Sequence, residues 1–360
     1  MTKNILVYVG TYTHKESEGI YIYRMEPESA YLEPVGKAVN ADNPSFLAVE
    51  PQKHYLYAVN EVQSFAGEKS GAVSAFSIDR ETGELTFLNS KSSKGTSPCH
   101  ITVDKRGEYV LVANYSSGSI SVLQLMDDGS LGDMTDFIQH EGSSINPERQ
   151  EGPHAHSVTI DPSNRYVYVA DLGLDKIMIY KFDSELGKLT PNDQPWVRTE
   201  LGAGPRHFTF HPNERFAYVI NELNSTIIAF TYERESGILE EIQTVSTLPE
   251  GFKGENYPAD IHVSPSGKFL YGSNRGHDSI VIYRINEETG RLSYISHEST
   301  RGRFPRNFAI DPSGKFLLVA NQKTDNIVTF RIDQETGLLE PTGNETNIPT
   351  PVCIKFLSLS

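Results

Sequence analysis

Cysteine is nearly absent: Cys99 and Cys353 are the only two in 360 residues. Two thiols so far apart make neither a disulfide framework nor a zinc-binding spacing, and they fit a reducing cytoplasm. Long apolar runs are missing too. No window approaches the roughly eighteen residues that a membrane-spanning helix needs. The opening stretch MTKNILVYVGTYTHKESEG lacks the apolar region and cleavage site of a signal peptide. Positive charge is scarce: 32 Lys and Arg stand against 47 Asp and Glu, a formal net charge of -15. That balance argues against nucleic acid and anionic membrane as partners, because both need a basic surface. It leaves room for a small anion, since a few local arginines outweigh a distant negative field. Nothing of helical length and period occurs, and there is no G-x-S-x-G elbow, P-loop or CxxC pair.

What is present is a repeat. The segments NPSFLAVEPQKHYLYAVNE (43–61), SPCHITVDKRGEYVLVANY (97–115), HAHSVTIDPSNRYVYVADL (154–172), GPRHFTFHPNERFAYVINE (204–222), YPADIHVSPSGKFLYGSNR (257–275) and FPRNFAIDPSGKFLLVANQ (304–322) share one layout. An entry residue, usually Pro, opens a short apolar strand; a polar turn follows; a second apolar strand ends on Asn or Asp. From entry residue to Asn or Asp the interval is constant: Pro44 to Asn60, Pro98 to Asn114, Ala155 to Asp171, Pro205 to Asn221, Pro258 to Asn274 and Pro305 to Asn321. A third run such as STIIAFTYE, a turn such as ESGIL and a fourth strand complete each unit.

Six units are continuous. A seventh is split: TPVCIKFLSLS supplies its first strand, NILVYVGTY its second, and GIYIYRME and the segment after it the rest. Sharing one sheet between the termini closes a ring and removes free edges. The sequence therefore predicts an all-β, seven-bladed β-propeller with four antiparallel strands per blade, residues 1–360 forming a single domain. The lone Trp196 excludes the Trp-Asp repeats of protein-scaffolding propellers. A monomer or weak dimer is expected.

Antiparallel pairing puts the start of each first strand beside the end of each second one, around one mouth of the channel. One residue past the entry come Ser45, Cys99, His156, Arg206, Ala259, Arg306 and Val352; next come Phe46, His100, Ser157, His207, Asp260, Asn307 and Cys353. After the second strands come Tyr12, Glu61, Tyr115, Leu172, Glu222, Arg275 and Gln322. His156, Arg206, His207, Glu222, Arg275 and Arg306 gather in consecutive blades. Arginines, histidines and a carboxylate converging on one pocket suit an anion site with an acid/base group. The repeated Asn residues read instead as turn residues, and Asp104, Asp161, Asp311, His54 and His211 lie in turns at the opposite end. His14, His140, His277 and His297 sit in connections and are expected to be solvated. His154 and His156, two apart, share a strand face, but no third ligand has a clear spacing, so no metal is expected. Glu222 could equally be an ion-pair partner of Arg206 or Arg275.

PHAH (153–156), GPRH (204–207), Asn221-Glu222 and NRGHDSI (274–280), set in this repeat, resemble the propeller-type lactonases. That family includes bacterial 6-phosphogluconolactonases and fungal carboxymuconate-cyclising enzymes. The resemblance runs from VYVGTYT to the closing strand. It implies a catalytic histidine at His156 or its neighbour His154; the repeat alignment favours His156, which shares the blade position of Arg206. It places the family's two arginines on Arg206 and Arg275 and its glutamate on Glu222. It implies a hydrolase of the pentose phosphate pathway, without metal or cofactor, acting on a small anionic sugar-phosphate lactone.

In that chemistry one arginine suits the phosphate and another the developing oxyanion. His156 is the general base, and Glu222 orients it or replaces it. Arg306, His100, Tyr115 and Gln322 complete the substrate contacts, with His154, His207 and Glu61 also in the binding set. Two rivals remain: a cycloisomerase acting on a carboxymuconate-type dicarboxylate, and a non-catalytic propeller whose mouth would carry a broad apolar patch.

Overall fold

Each repeat unit becomes one four-stranded antiparallel sheet, and seven sheets form the ring. The computed structural model describes residues 4–359, with strands and no helix among them. We number the blades from the one that holds the N-terminal strand. In blade 5, Pro205–Phe210, Phe216–Asn221, Thr226–Glu233 and Ile238–Ser246 pair in that order, from the channel outward. Blade 1 is the split one. Pro351–Leu359 pairs with Asn4–Thr11, followed by Ile20–Met25 and Leu32–Ala38, as the sequence predicts.

Second strands such as FAYVIN (Phe216–Asn221) and FLLVAN (Phe316–Asn321) are buried at every residue, because a neighbouring blade covers each face. They therefore read as unbroken apolar runs rather than as an alternation. The core lies between blades. Phe216, Tyr218 and Ile220 of blade 5, for example, pack on Ile261, Leu270 and Val281 of blade 6.

A recurrent tyrosine ties blade to blade. Tyr8, Tyr57, Tyr168, Tyr218 and Tyr271 stand three residues before Thr11, Asn60, Asp171, Asn221 and Asn274 of their second strands. Each donates its hydroxyl hydrogen bond to a turn-glycine carbonyl of the next blade: Gly83, Gly129, Gly237, Gly290 and Gly337, at 2.6–3.0 Å. These turns demand glycine. At Gly290 the φ is 69°, and a Cβ would lie 2.4 Å from the Phe216 ring of the preceding blade.

The inner strands carry a distortion that builds the mouth. Pro205 pairs with Asn221 but His207 pairs with Ile220, so Arg206 is an extra, unpaired residue. The same β-bulge frees Cys99, His156, Arg306 and Val352. A bulge re-aims the side chain that it releases from the ladder.

Tyr218→Phe is expected to cost about 1–3 kcal/mol in denaturant unfolding, because it leaves the buried Gly290 carbonyl without its donor. Tyr31→Phe, on an exposed side chain, should change stability by less than about 0.5 kcal/mol.

Candidate active site

A cleft of about 400 Å³ opens at the mouth where the inner strands begin. Its wall draws on two sets of positions. The bulges supply Cys99, His156 and Arg306. The residues that follow the second-strand Asn or its counterpart supply Tyr12, Glu61, Tyr115, Glu222, Arg275 and Gln322. Phe304 and Arg149 come from connecting segments, and Tyr257 opens the inner strand Tyr257–Val263.

One carboxylate organises half of this cleft. Glu222 accepts from Arg149 Nη2 (2.6 Å), Arg206 Nε (2.9 Å) and Arg275 Nη2 (2.6 Å). Burial opposes its ionisation, but Arg275, Arg206 and Arg149 outweigh burial and hold its carboxyl well below the usual range. Glu222 therefore neither orients His156 nor offers a basic oxygen; its acceptors serve three guanidinium groups. Arg206 is 1% exposed and lies beneath the cleft wall, with Nη1 also on the Ala259 carbonyl and His207 Nε2. Arg275 is fixed by the Tyr257 carbonyl and packs over Phe304. Burial, only partly offset by Glu222, lowers its pKa to about 9.

The opposite half is different. Arg306 lies over the Tyr12 ring, 5.4 Å from its centroid, and makes no hydrogen bond or ion pair among the described residues. Nearby Glu61 is occupied by the Tyr12 hydroxyl (2.9 Å) and Ser45 (2.5 Å). Gln322 Oε1 is buried without a hydrogen-bond partner. Together with Glu222 and Glu61, the four arginines leave two positive charges unmatched.

His156 stands between these halves. Its Nδ1 is 3.8 Å from Cys99 Sγ, and its Nε2 has no hydrogen-bond partner among the described residues. Burial, then Arg206, His207 and Arg306, hold its pKa well below the usual histidine value, so the ring is neutral at pH 7. Burial also pushes the Cys99 thiol up, which excludes a thiolate–imidazolium pair.

Other expected members sit elsewhere. His154 stacks on Tyr115 and bonds the Tyr115 carbonyl and Glu151; it precedes the strand that carries His156 and does not share a face with it. His207 lies one layer below the cleft, bonded to Asp260 and Arg206. His100 opens on a separate cavity of about 360 Å³ further along the channel, beside Phe46 and Lys355. The bulge explains this: it turns Cys99, His156 and Arg306 to the mouth and leaves the residue after each in the layer beneath. His140 is not solvated either. It is 4% exposed, held between Asp171 (2.6 Å) and Tyr180 (2.9 Å). His297 lies within the strand Leu292–Ser299 and bonds the Thr247 carbonyl. The repeated Asn side chains act only partly as turn residues: Asn114 and Asn221 bond hydroxyls five residues on, whereas Asn274 and Asn321 donate to the Thr247 and Thr300 carbonyls of the preceding connection.

The family profile described as "Lactonase, 7-bladed beta-propeller" matches residues 6–356. The chain belongs to this lactonase family. It is 41% identical to a Bacillus subtilis 6-phosphogluconolactonase, over 99% of each chain. A Formosa agariphila 6-phosphogluconolactonase is 38% identical over 82% of this chain and 83% of its own. The solved periplasmic gluconolactonase of Pseudomonas aeruginosa superposes with a TM-score of 0.93 at 33% identity, over 99% of each chain.

Arg149 is the member of this lactonase cleft that the repeat does not reveal. It rides on the long connection between Gln139 and Ala155, outside the 16-residue pattern. The available signal was the insertion itself: an arginine on an extra segment at the mouth end. Glu222→Gln should destabilise the fold by about 3–5 kcal/mol in denaturant unfolding, since it strands the buried Arg206 and Arg275 without their counter-charge. Glu61→Gln, whose hydroxyl partners can re-bond to an amide, should cost about 1 kcal/mol or less.

Proposed function

We propose that this chain hydrolyses 6-phosphoglucono-δ-lactone to 6-phosphogluconate. The observation that carries the reading is the excess of two positive charges around a neutral imidazole. A phosphomonoester brings up to two negative charges at neutral pH, and the unpartnered Arg306 offers it a planar fork of donors. Gln322 Oε1, buried and unbonded, suits a sugar hydroxyl donor.

With the phosphate on Arg306, the lactone carbonyl extends toward His156 and the Glu222 cluster. His156 Nε2 takes a proton from water as the water oxygen attacks the carbonyl carbon. The tetrahedral oxyanion is met by N–H groups of Arg149 or Arg275 that Glu222 does not occupy; such a donor is worth roughly 3–4 kcal/mol in other enzymes. On collapse the ring C–O bond breaks, and the imidazolium returns its proton to the leaving alkoxide. Glu222 holds the arginines in place throughout. The cationic surroundings make His156 a weak base in the empty cleft. A bound phosphate offsets the field of Arg206 and Arg306 and moves its pKa back up, so the substrate tunes the base.

Proton release from freshly made 6-phosphogluconolactone checks the assignment. His156→Ala should lower kcat/KM by about 100-fold or more. Arg306→Ala should raise KM and abolish the preference for the phosphorylated lactone over glucono-δ-lactone. Both variants near wild type, while folded, would refute the site. No turnover of this lactone alongside turnover of a carboxymuconate-type substrate would favour the cycloisomerase.

The pH profile has a definite sign. A base whose pKa is lowered keeps its lone pair until the pH falls below that pKa. The acid limb of kcat/KM, which reports the free enzyme, should therefore lie well below about 6.5.

A further inference from the structure

We propose that His207 and Asp260 are positioning residues for Arg206: the tautomer of His207, fixed by Asp260, aims the Arg206 guanidinium at Glu222. For its activity arm this rests on the cleft being a lactone-hydrolysing site.

Asp260 is 3% exposed and inside the channel. Its Oδ1 accepts from His207 Nδ1 (2.7 Å) and the Ile261 N–H (2.9 Å). Its Oδ2 accepts from Asn307 Nδ2 (2.5 Å), His262 Nε2 (3.0 Å) and the Phe308 N–H (3.3 Å). An ionised carboxylate only accepts, so Nδ1 of His207 carries the proton. Nε2 then keeps a lone pair and faces Arg206 Nη1 at 3.1 Å. A guanidinium only donates, so the same tautomer is demanded from both ends. Held there and by the Ala259 carbonyl, Arg206 presents Nε to Glu222. A proton on Nε2 would set N–H against N–H and push the guanidinium off.

The titratable groups around His207 are Asp260, Arg206, His156 and His100, with His262 beyond Asp260. Burial and Arg206 lower the His207 pKa to about 4, so it stays neutral above that pH. The ring does not repeat this pair. The positions equivalent to His207 hold Phe46 in blade 2, His100 in blade 3, Ser157 in blade 4, Asn307 in blade 7 and Cys353 in blade 1, and none but Asp260 in blade 6 is acidic. A histidine and an aspartate in adjacent blades, directly under the arginine that meets Glu222, serve the site rather than the ring.

The test combines three variants with a tautomer measurement. His207→Leu and Asp260→Asn should lower kcat by about 10- to 100-fold, the scale of a misplaced catalytic group. His207→Gln, which returns an acceptor to the Nε2 position, should recover most of that loss. A merely structural role predicts that Gln and Leu fall together, in step with melting temperature. Nitrogen-15 NMR of the wild-type protein at pH 7 should show His207 protonated on Nδ1 only, and Asp260→Asn should show mixed tautomers. An Nε2–H tautomer or an imidazolium in wild type, or a folded His207→Leu with kcat within about threefold of wild type, would overturn the proposal. The NMR arm needs neither turnover nor a folded Leu variant. Absent lactonase activity in wild type would therefore count against the function and leave the relay to be decided by its tautomer.

Discussion

The carboxylate of Glu222 is what allows this mouth to be built. The buried Arg206 and Arg275 and the half-buried Arg149 approach one another, and like charges at such range repel strongly where water is scarce. One carboxylate bonded to all three turns that repulsion into a rigid cluster. The cost of burying Glu222 is met by the same three partners. Their positions are set from below by the Ala259, Tyr257 and Pro258 carbonyls and by His207. The residue singled out from sequence as a possible base is thus better understood as the pin of the cationic wall.

With three arginines held by one carboxylate, the two sides of the cleft differ in how their cations are partnered. Arg306 rests on an aromatic ring with its donors free among the described residues, and nearby Glu61 is engaged by neutral hydroxyls. His156 lies between a satisfied cluster and an unsatisfied cation. On the proposed reading, that arrangement binds an anion at one end and stabilises a charge that develops at the other. A lactone is a reactive ester, so positioning, a neutral base and oxyanion donors suffice without a covalent nucleophile. The shielded thiol of Cys99 agrees with such a mechanism.

Much of the architecture was legible because it repeats. The constant spacing from Pro205 to Asn221, and in the five other continuous units, fixed strand number and ring closure, down to Pro351–Leu359 pairing with the N-terminal strand. The charged positions emerged once the repeat was subtracted, since Arg206, Glu222, Arg275 and Arg306 have no scaffold counterpart. Depth was not legible. The β-bulge sends Arg306 and His156 to the mouth and leaves His207 and His100 beneath it, and bulges carry no mark in the repeat itself. Arg149 escaped because subtracting a repeat discards insertions. His140 looked solvated because its partners, Asp171 and Tyr180, are distant in sequence.

On the proposed reading, Arg306 and not the Glu222 cluster takes the substrate's anionic end. A crystal structure with bound 6-phosphogluconate tests it directly. The phosphate is expected on Arg306, with the carboxylate end beside His156, Arg149 and Arg275. A phosphate seated on Arg149 or Arg275, with Arg306 left on Tyr12 and free of ligand, would contradict it.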